Sequence, residues 1–236
     1  GKRRDIDAFD AYYRHVVLWD DAELQIAGAY RIGEAKEIVR SRGLDGLYTH
    51  RLFAYGDGLR GCLPQALELG RSFVQPRFQG MRALDYLWQG IGAYLVTRPD
   101  VRYLFGPVSL SAAYPELARR MLVNFFARHY GGDGTFATAR LPIDVDRGGE
   151  CPGDLRALKE ALCAMGATIP VLYKQYAELC EPGGTRFVAF NIDPSFANCI
   201  DALVLVDLKL VKPAKRERYL APRGEIAAAA TLLKSA

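Results

Sequence analysis

The stretch Leu67-Glu-Leu-Gly-Arg-Ser-Phe-Val-Gln-Pro-Arg-Phe-Gln-Gly-Met-Arg-Ala-Leu-Asp-Tyr-Leu-Trp88 changes its hydrophobic period halfway along. Up to Val74 the largely apolar run through Leu67, Leu69, Phe73 and Val74 reads as a strand. Pro76 cannot donate to a sheet ladder, so the strand ends near Gln75. Arg77, Gln79, Gly80 and Arg82 then fall in a short turn that opens a helix. Leu84, Leu87, Trp88, Ile91, Tyr94 and Leu95 give that helix one apolar face. Free backbone N–H groups at a helix N-terminus form a ready anion site, which two arginines strengthen. The same spacing also fits an ordinary strand-turn-helix with solvated arginines, because short glycine turns are weak motifs.

Arg77-Phe-Gln-Gly80-Met-Arg82 resembles the pyrophosphate-binding turn of the GNAT superfamily of acyltransferases, with Arg82 where that superfamily usually has Gly or Ala. The longer string Glu68-Leu-Gly-Arg71-Ser-Phe-Val-x-Pro is more specific. It resembles the branch containing the acyl-homoserine-lactone synthases and the ornithine-lipid N-acyltransferases. The resemblance implies an α/β (α+β) GNAT-like fold, with a mixed, mostly antiparallel central sheet and helices on both faces. It implies an acyl donor carried as a phosphopantetheine thioester on acyl carrier protein, with acyl-CoA as the alternative. The donor site would comprise Phe73, Val74, Arg77, Gln79, Gly80, Met81, Arg82 and Ser109, with backbone N–H groups near Phe73 and Val74 as oxyanion donors.

The acidic segment Asp5-Ile-Asp7-Ala-Phe-Asp10, and Arg31 at the end of the second strand, also resemble the homoserine-lactone synthases, which makes Asp7, Asp10 and Arg31 candidates for acceptor binding. Relatives in the branch begin with a strand and a helix upstream of that segment, for which no counterpart stands here. The expected organisation is therefore one N-acyltransferase domain over residues 1–220, starting without those elements, and a basic, Ala-rich tail over 221–236.

N-acylation needs a neutral amine, a polarised thioester carbonyl and a stabilised thiolate. Glu68 lies where a carboxylate could accept the amine proton, directly or through water. Arg71 points to the other face of a regular strand, so a bulge would be needed for both to meet one substrate. A structural ion pairing of Glu68 and Arg71 with Arg31 is the other reading. Ser109, Ser111 and Tyr114 border the next strand and are candidate proton donors to the thiolate, or ordinary capping and packing residues. No Ser-His-Asp set is present, and Cys62 and Cys199 lack a histidine nearby in sequence.

The chain of 236 residues is half apolar, enough for one sizeable core. No run of about 18 uncharged apolar residues occurs, so no spanning helix is expected. Its five cysteines are scattered, which reads as free thiols in a reducing cytoplasm, and its three histidines lie too far apart to suggest a metal site. The net charge is +4, and Lys209 to Lys234 carries seven basic residues against Glu217 and Glu225, a balance of +5 that leaves the rest near −1. Such a tail suits a solvated surface, an anionic membrane at the inner face of the cytoplasm, or an acidic carrier protein. No groove-reading motif supports nucleic acid.

The remaining pattern predicts a hairpin of His15–Trp19 with Gln25–Ile32, a helix over Ala35–Ser41, and a mobile lid at Tyr48–Leu52 with Gly56, Gly58 and Gly61. A strand over Arg102–Leu110, interrupted at Gly106-Pro107, follows the central helix. Helices are predicted at Ala112–Tyr130, Asp154–Met165 and Val171–Cys180, with Thr135–Cys151 irregular. Strands at Arg186–Ile192 and Leu203–Leu208, joined through a turn over Asp193–Asn198, close the sheet. The leading function is transfer of a 3-hydroxyacyl or other fatty acyl group to an amino acid amine, ornithine first, in ornithine-lipid synthesis. An acyl-homoserine-lactone or other N-acyl amino acid synthase, and a non-catalytic domain binding carrier protein or membrane, are the alternatives.

Overall fold

The structure is a computed structural model and describes residues 6–80, 82–146 and 148–220. Six strands form one sheet: β1 (Arg14–Asp20), β2 (Gln25–Glu34), β4 (Ala66–Val74), β5 (Tyr103–Leu110), β8 (Cys199–Asp207) and β7 (Thr185–Asp193), in that order. Every neighbouring pair is antiparallel except β4 and β5, which run parallel. The sheet is GNAT-like, mixed and mostly antiparallel. A second, two-stranded sheet pairs β3 (Phe53–Tyr55) with β6 (Ala137–Ala139).

One face of the large sheet carries α3 (Ala83–Val96), α4 (Glu116–His129), α5 (Leu155–Ala164), α6 (Val171–Ala177) and α7 (Pro213–Leu220), packed on Leu67, Leu69, Val108, Val204 and their neighbours. The other face carries Phe9 and Tyr13, α1 (Ala35–Arg42) and α2 (Asp57–Cys62), packed on Phe105, Leu203 and Leu205. Period-two alternation in the central strands sends one set of residues to each core. None of the helices among the described residues is long and apolar enough to cross a membrane.

The parallel pair is what shapes the site. β4 and β5 pair only over Ala66–Glu68 with Tyr103–Phe105, and then splay. Gly106 permits the last close approach, since a Cβ there would lie 1.9 Å from the Leu69 carbonyl oxygen. Pro107 turns its Cδ toward Gly70, at 3.9 Å from a Cβ built there, and has no N–H to offer β4. The expected interruption at Gly106-Pro107 is one-sided. On the other edge β5 pairs with β8 without a break from Tyr103 to Leu110.

Several expectations need correction. Residues 48–62 do not form a mobile lid: Leu47, Thr49, Phe53 and Leu59 are fully buried against the second face. Part of the irregular stretch, Ala137–Ala139, is the strand that anchors β3. The last strand begins at Cys199, not Leu203, and the helix from Val171 ends at Ala177. The basic run from Lys209 is partly folded body: Arg218 pairs with Asp85 at 2.7 Å, and Arg216 donates to the Leu208 carbonyl. Residues 221–236 of the expected tail lie outside the described residues.

α7 is held on α3 by close backbone approach. A Cβ at Gly92 would meet the Tyr219 carbonyl oxygen at 1.6 Å, and the Tyr219 ring sits 5.5 Å from that of Trp88. Gly92→Ala is therefore expected to force α7 off α3. Overpacking of this kind costs about 1–3 kcal/mol, or about 2–12 °C in Tm for a domain of this size. Thermal melting, with hydrogen exchange over residues 213–220, checks this; an unchanged Tm with retained protection would refute it.

Candidate active site

The wedge between β4 and β5 opens toward Val74 and Leu110, and charged and aromatic side chains converge on the face opposite α3. The first wall is built on β2 and β4. Arg31, 2% exposed, donates to Asp7 Oδ1 and Oδ2 at 2.8 Å each and to Asp10 Oδ1 at 2.9 Å. The Phe9, Tyr13 and Tyr48 rings surround its guanidinium, with centroids 5.1–5.4 Å away. Its Nε is buried without a hydrogen-bond partner. Burial pushes the Asp7 and Asp10 carboxyls up, but hydrogen bonds and the Arg31 charge outweigh it and hold both below the usual carboxylate range.

The bulge that would bring Arg71 round is present. Arg31 pairs with Gly70 and Ala29 with Phe73, so Arg71 and Ser72 together oppose Tyr30. Arg71 takes up the extra residue with φ +44° and reaches Asp7 Oδ2 at 2.7 Å. Asp7 thus joins Arg31 to Arg71, and the acidic N-terminal segment is tied into the site. Arg31 pairs with these aspartates rather than with Glu68.

Glu68 has a different setting. It is 1% exposed and accepts from the Tyr13 hydroxyl, the Tyr48 N–H (3.0 Å), the Thr49 N–H (2.7 Å) and the Thr49 hydroxyl. Four donors fill the acceptor sites of a carboxylate. Burial raises its pKa, opposed by these hydrogen bonds. In this geometry Glu68 ties Tyr48 and Thr49 to β4.

The second wall is built on β5, β8 and β7. Ser109 on β5, four residues beyond the last β4 pair, donates to Asp201 Oδ1 at 2.5 Å. Asp201 is 2% exposed, and its register partners are Ser109 and Asn191. Cys199 approaches the same oxygen at 3.7 Å, and buried Asp193 stands at the end of β7. Burial and the Asp201 charge push the Cys199 thiol up to about 12, which removes it as a nucleophile near neutral pH. Burial, with the charges of Asp201 and Asp193, pushes the Tyr48 hydroxyl up to about 12 as well. Tyr48 therefore has its ring beside Arg31 and its hydroxyl in the field of the second wall.

The turn after β4 lies apart from these walls. Pro76–Phe78 forms a 3₁₀ turn, Gly80 takes φ +79°, and Arg82 stands at the start of α3 with no side-chain cap. Arg77 lies 3.3 Å from Asp20 and 3.6 Å from Glu23 and stacks on Phe78, while Arg82 lies 3.4 Å from Asp85. These are exposed pairs of small net worth, open to exchange for a phosphate. Gln79 donates to the Val74 carbonyl, Phe73 and Val74 border the wedge, and Met81 lies outside the described residues. Ser111 accepts from the Ala113 N–H and so caps a turn.

Tyr13, Tyr48, Thr49, Asp193 and Asp201 escaped sequence reasoning. Tyr13, Tyr48 and Thr49 meet Glu68 from 55, 20 and 19 residues away, with no local pattern to announce them. Asp201 did leave a signal: an acidic residue inside the apolar run Cys199-Ile-Asp-Ala-Leu-Val.

A parallel strand pair that splays, with an uncapped helix N-terminus and two arginines at its end, is the frame of a GNAT-type acyltransferase. Residues 1–89 match the family model described as an acetyltransferase (GNAT) domain. The chain is 28% identical over 242 residues to a glycine N(alpha)-acyltransferase of Phocaeicola vulgatus, covering 93% of this chain and 74% of that protein. It is 28% identical over 229 residues to an L-ornithine N(alpha)-acyltransferase of Rhizobium meliloti, covering 94% and 73%. Among solved structures, a CoA-dependent acyl-homoserine lactone synthase superposes with a TM-score of 0.39 at 14% identity, covering 94% of this chain and 75% of that one. The likeness to a GNAT domain lies in residues 1–89, and the chain is an acyltransferase.

Proposed function

We propose that the protein transfers a fatty acyl group from a phosphopantetheine thioester to the α-amine of an amino acid. The single observation that carries this reading is the open β4–β5 wedge, with an arginine-flanked helix N-terminus at one end and an Arg–Asp cluster on one wall. A pantetheine arm fits between strands that have stopped pairing, and its phosphate is served by the N–H groups of α3 with Arg77 and Arg82. The thioester would then lie beside Phe73 and Val74, on the edge of β4 that no longer pairs with β5. Arg71, anchored through Asp7 to Arg31, is assigned to the acceptor's carboxylate. Glu68 is assigned a positioning role, through Tyr48 and Thr49. Ser109 is assigned the return of a proton to the leaving thiolate.

The relatives' names include both glycine and ornithine as acceptors, and the α-amine of an amino acid is what these share. Ornithine remains the first acceptor to test, with acyl carrier protein as the carrier and a lyso-ornithine lipid as the product. Peripheral membrane contact through Lys212 and Lys215 would suit such a product. The deciding experiment supplies 3-hydroxyacyl carrier protein or acyl-CoA with a panel of amino acids and identifies N-acyl products by mass spectrometry. Transfer to an α-amine supports the proposal; no product with any acceptor from either donor overturns it.

The donor assignment has its own check. Each charge-assisted bond lost to phosphate is worth about 1.5–3 kcal/mol. Arg77→Ala with Arg82→Ala is expected to raise the donor KM at least tenfold with little change in Tm, because both side chains are exposed. Unchanged donor kinetics in the folded double variant would remove the turn from the donor site.

A further inference from the structure

We infer that Asp201 is the catalytic proton acceptor for the acceptor's ammonium group, a role that rests on the N-acyltransferase reading. An amino acid arrives with its amine protonated, and the nitrogen cannot attack a thioester until one proton has left. Glu68 is already saturated by four donors. Asp201 is not: Ser109 and Cys199 both approach Oδ1, and among the described residues no donor meets Oδ2. Oδ2 is not among the fully buried side-chain atoms left without a partner, so it reaches the surface of the wedge, where an ammonium group can meet it.

Position agrees with chemistry. Asp201 alternates with Leu203 and Leu205, so it shares the sheet face of Phe105 and, through Tyr48, of Arg31. Its neighbour Ser109 is exposed where β5 has parted from β4. An amino acid with its carboxylate toward Arg71 would present its nitrogen across the wedge to Asp201. The groups facing Asp201 are Ser109 on β5, Cys199 on β8, Asp193 on β7 and Tyr48 from the segment above. None carries a positive charge. Burial accordingly raises the Asp201 carboxyl above its usual value, with the Asp193 charge adding to it, which makes it a better base than a solvated aspartate.

The step balances. The ammonium gives one proton to Asp201 Oδ2, and the neutral nitrogen forms the C–N bond to the thioester carbonyl. The C–S bond breaks, and the thiolate leaves with the second nitrogen proton, relayed through the Ser109 hydroxyl, which gives up its own proton as it takes the nitrogen's. Asp201 then releases the first proton to solvent, so amide, thiol and one proton are the products.

The test uses two acceptors. Glycine or ornithine must lose a proton before attack, whereas aminooxyacetate carries a nitrogen that is already unprotonated at neutral pH. Asp201→Asn, which keeps size and the Ser109 contact, is expected to lower kcat/KM for the amino acid by about 10²-fold or more, to change the rate with aminooxyacetate less than tenfold, and to leave donor KM unaltered. Equal losses with both acceptors, or no loss with either, overturn the inference while the wild type still transfers. A wild type that acylates no amine overturns the N-acyltransferase reading, and this inference with it. If Asp201→Asn fails to fold, Ser109→Ala decides: without that hydrogen bond the carboxylate becomes more basic, and the acid limb of the kcat/KM profile moves to higher pH. An unmoved limb overturns the role.

Discussion

Removal of the Glu68 carboxylate is expected to cost more stability than any other single change in the site. Glu68→Ala leaves the Thr49 N–H without its acceptor, in a place that water does not reach, while the Tyr48 N–H keeps the Tyr13 hydroxyl (3.1 Å) and the Thr49 hydroxyl keeps that of Tyr55 (2.6 Å). The orphaned N–H costs about 1–3 kcal/mol and the emptied buried side-chain volume about 2–5 kcal/mol, so the loss is about 3 kcal/mol or more, or at least about 6 °C in Tm. Glu68→Gln keeps one oxygen for Thr49, and Tyr13 can turn its hydroxyl to accept. The Tyr48 N–H then faces an amide NH₂ and keeps only its 3.1 Å bond to the Tyr13 oxygen, and the cost falls to about 1–3 kcal/mol. Because Glu68 acts through Tyr48 and Thr49, kcat of the folded Gln variant should stay within tenfold of wild type, with the acid limb of its pH profile in place. The opposite split, an unchanged Tm with kcat lowered about 10²–10⁴-fold, would return Glu68 to the role of proton acceptor.

Replacing Arg31 by methionine should be nearly as severe. The guanidinium balances Asp7 and Asp10 in a partly dry pocket, and breaking a buried pair from one side typically costs about 3–5 kcal/mol. For a domain of this size that is about 6–20 °C in Tm. The pH dependence distinguishes the cause. In the wild type both carboxyls are held below their unfolded values, so their contribution is complete above about pH 4 and lost as pH falls through the lowered values. In Arg31→Met burial acts on Asp10 without its bonded guanidinium and pushes it up, while Asp7 keeps Arg71. The variant should then gain stability as pH falls and Asp10 becomes neutral, the reverse of wild type. Differential scanning calorimetry between pH 4 and 8 reads both slopes; parallel slopes would mean that the charges are not what Arg31 contributes.

Much of this molecule is local chemistry, and the sequence determined it alone. The strand to Val74, the stop at Pro76, the turn through Gly80 and the helix from Ala83 follow from period, a missing N–H and an apolar helix face. The β1–β2 hairpin and the helices at Ala35, Glu116 and Leu155 follow from the same rules. The string at Glu68–Pro76 was enough to name a GNAT-like fold and an acyltransferase. Even the bulge at Arg71 was legible as a requirement, since a regular strand would have sent Glu68 and Arg71 to opposite faces. Only the tertiary structure decided what each carboxylate can do. Glu68 and Asp201 differ because only Glu68 has Tyr13, Tyr48 and Thr49 folded onto it. The turn assigned to Asp193–Asn198 and the late start given to the last strand hid Asp201, because an aspartate lowers strand propensity and the burial that overrides it comes from β5, β7 and residues 44–63. Glycines 56, 58 and 61 suggested mobility, yet Gly56 and Gly58 lie close against Thr135 and Phe136, where a side chain would not fit. Contacts made across 20 to 100 residues leave no period in the chain, and the pKa of a carboxyl is set by what is packed against it rather than by its neighbours in sequence.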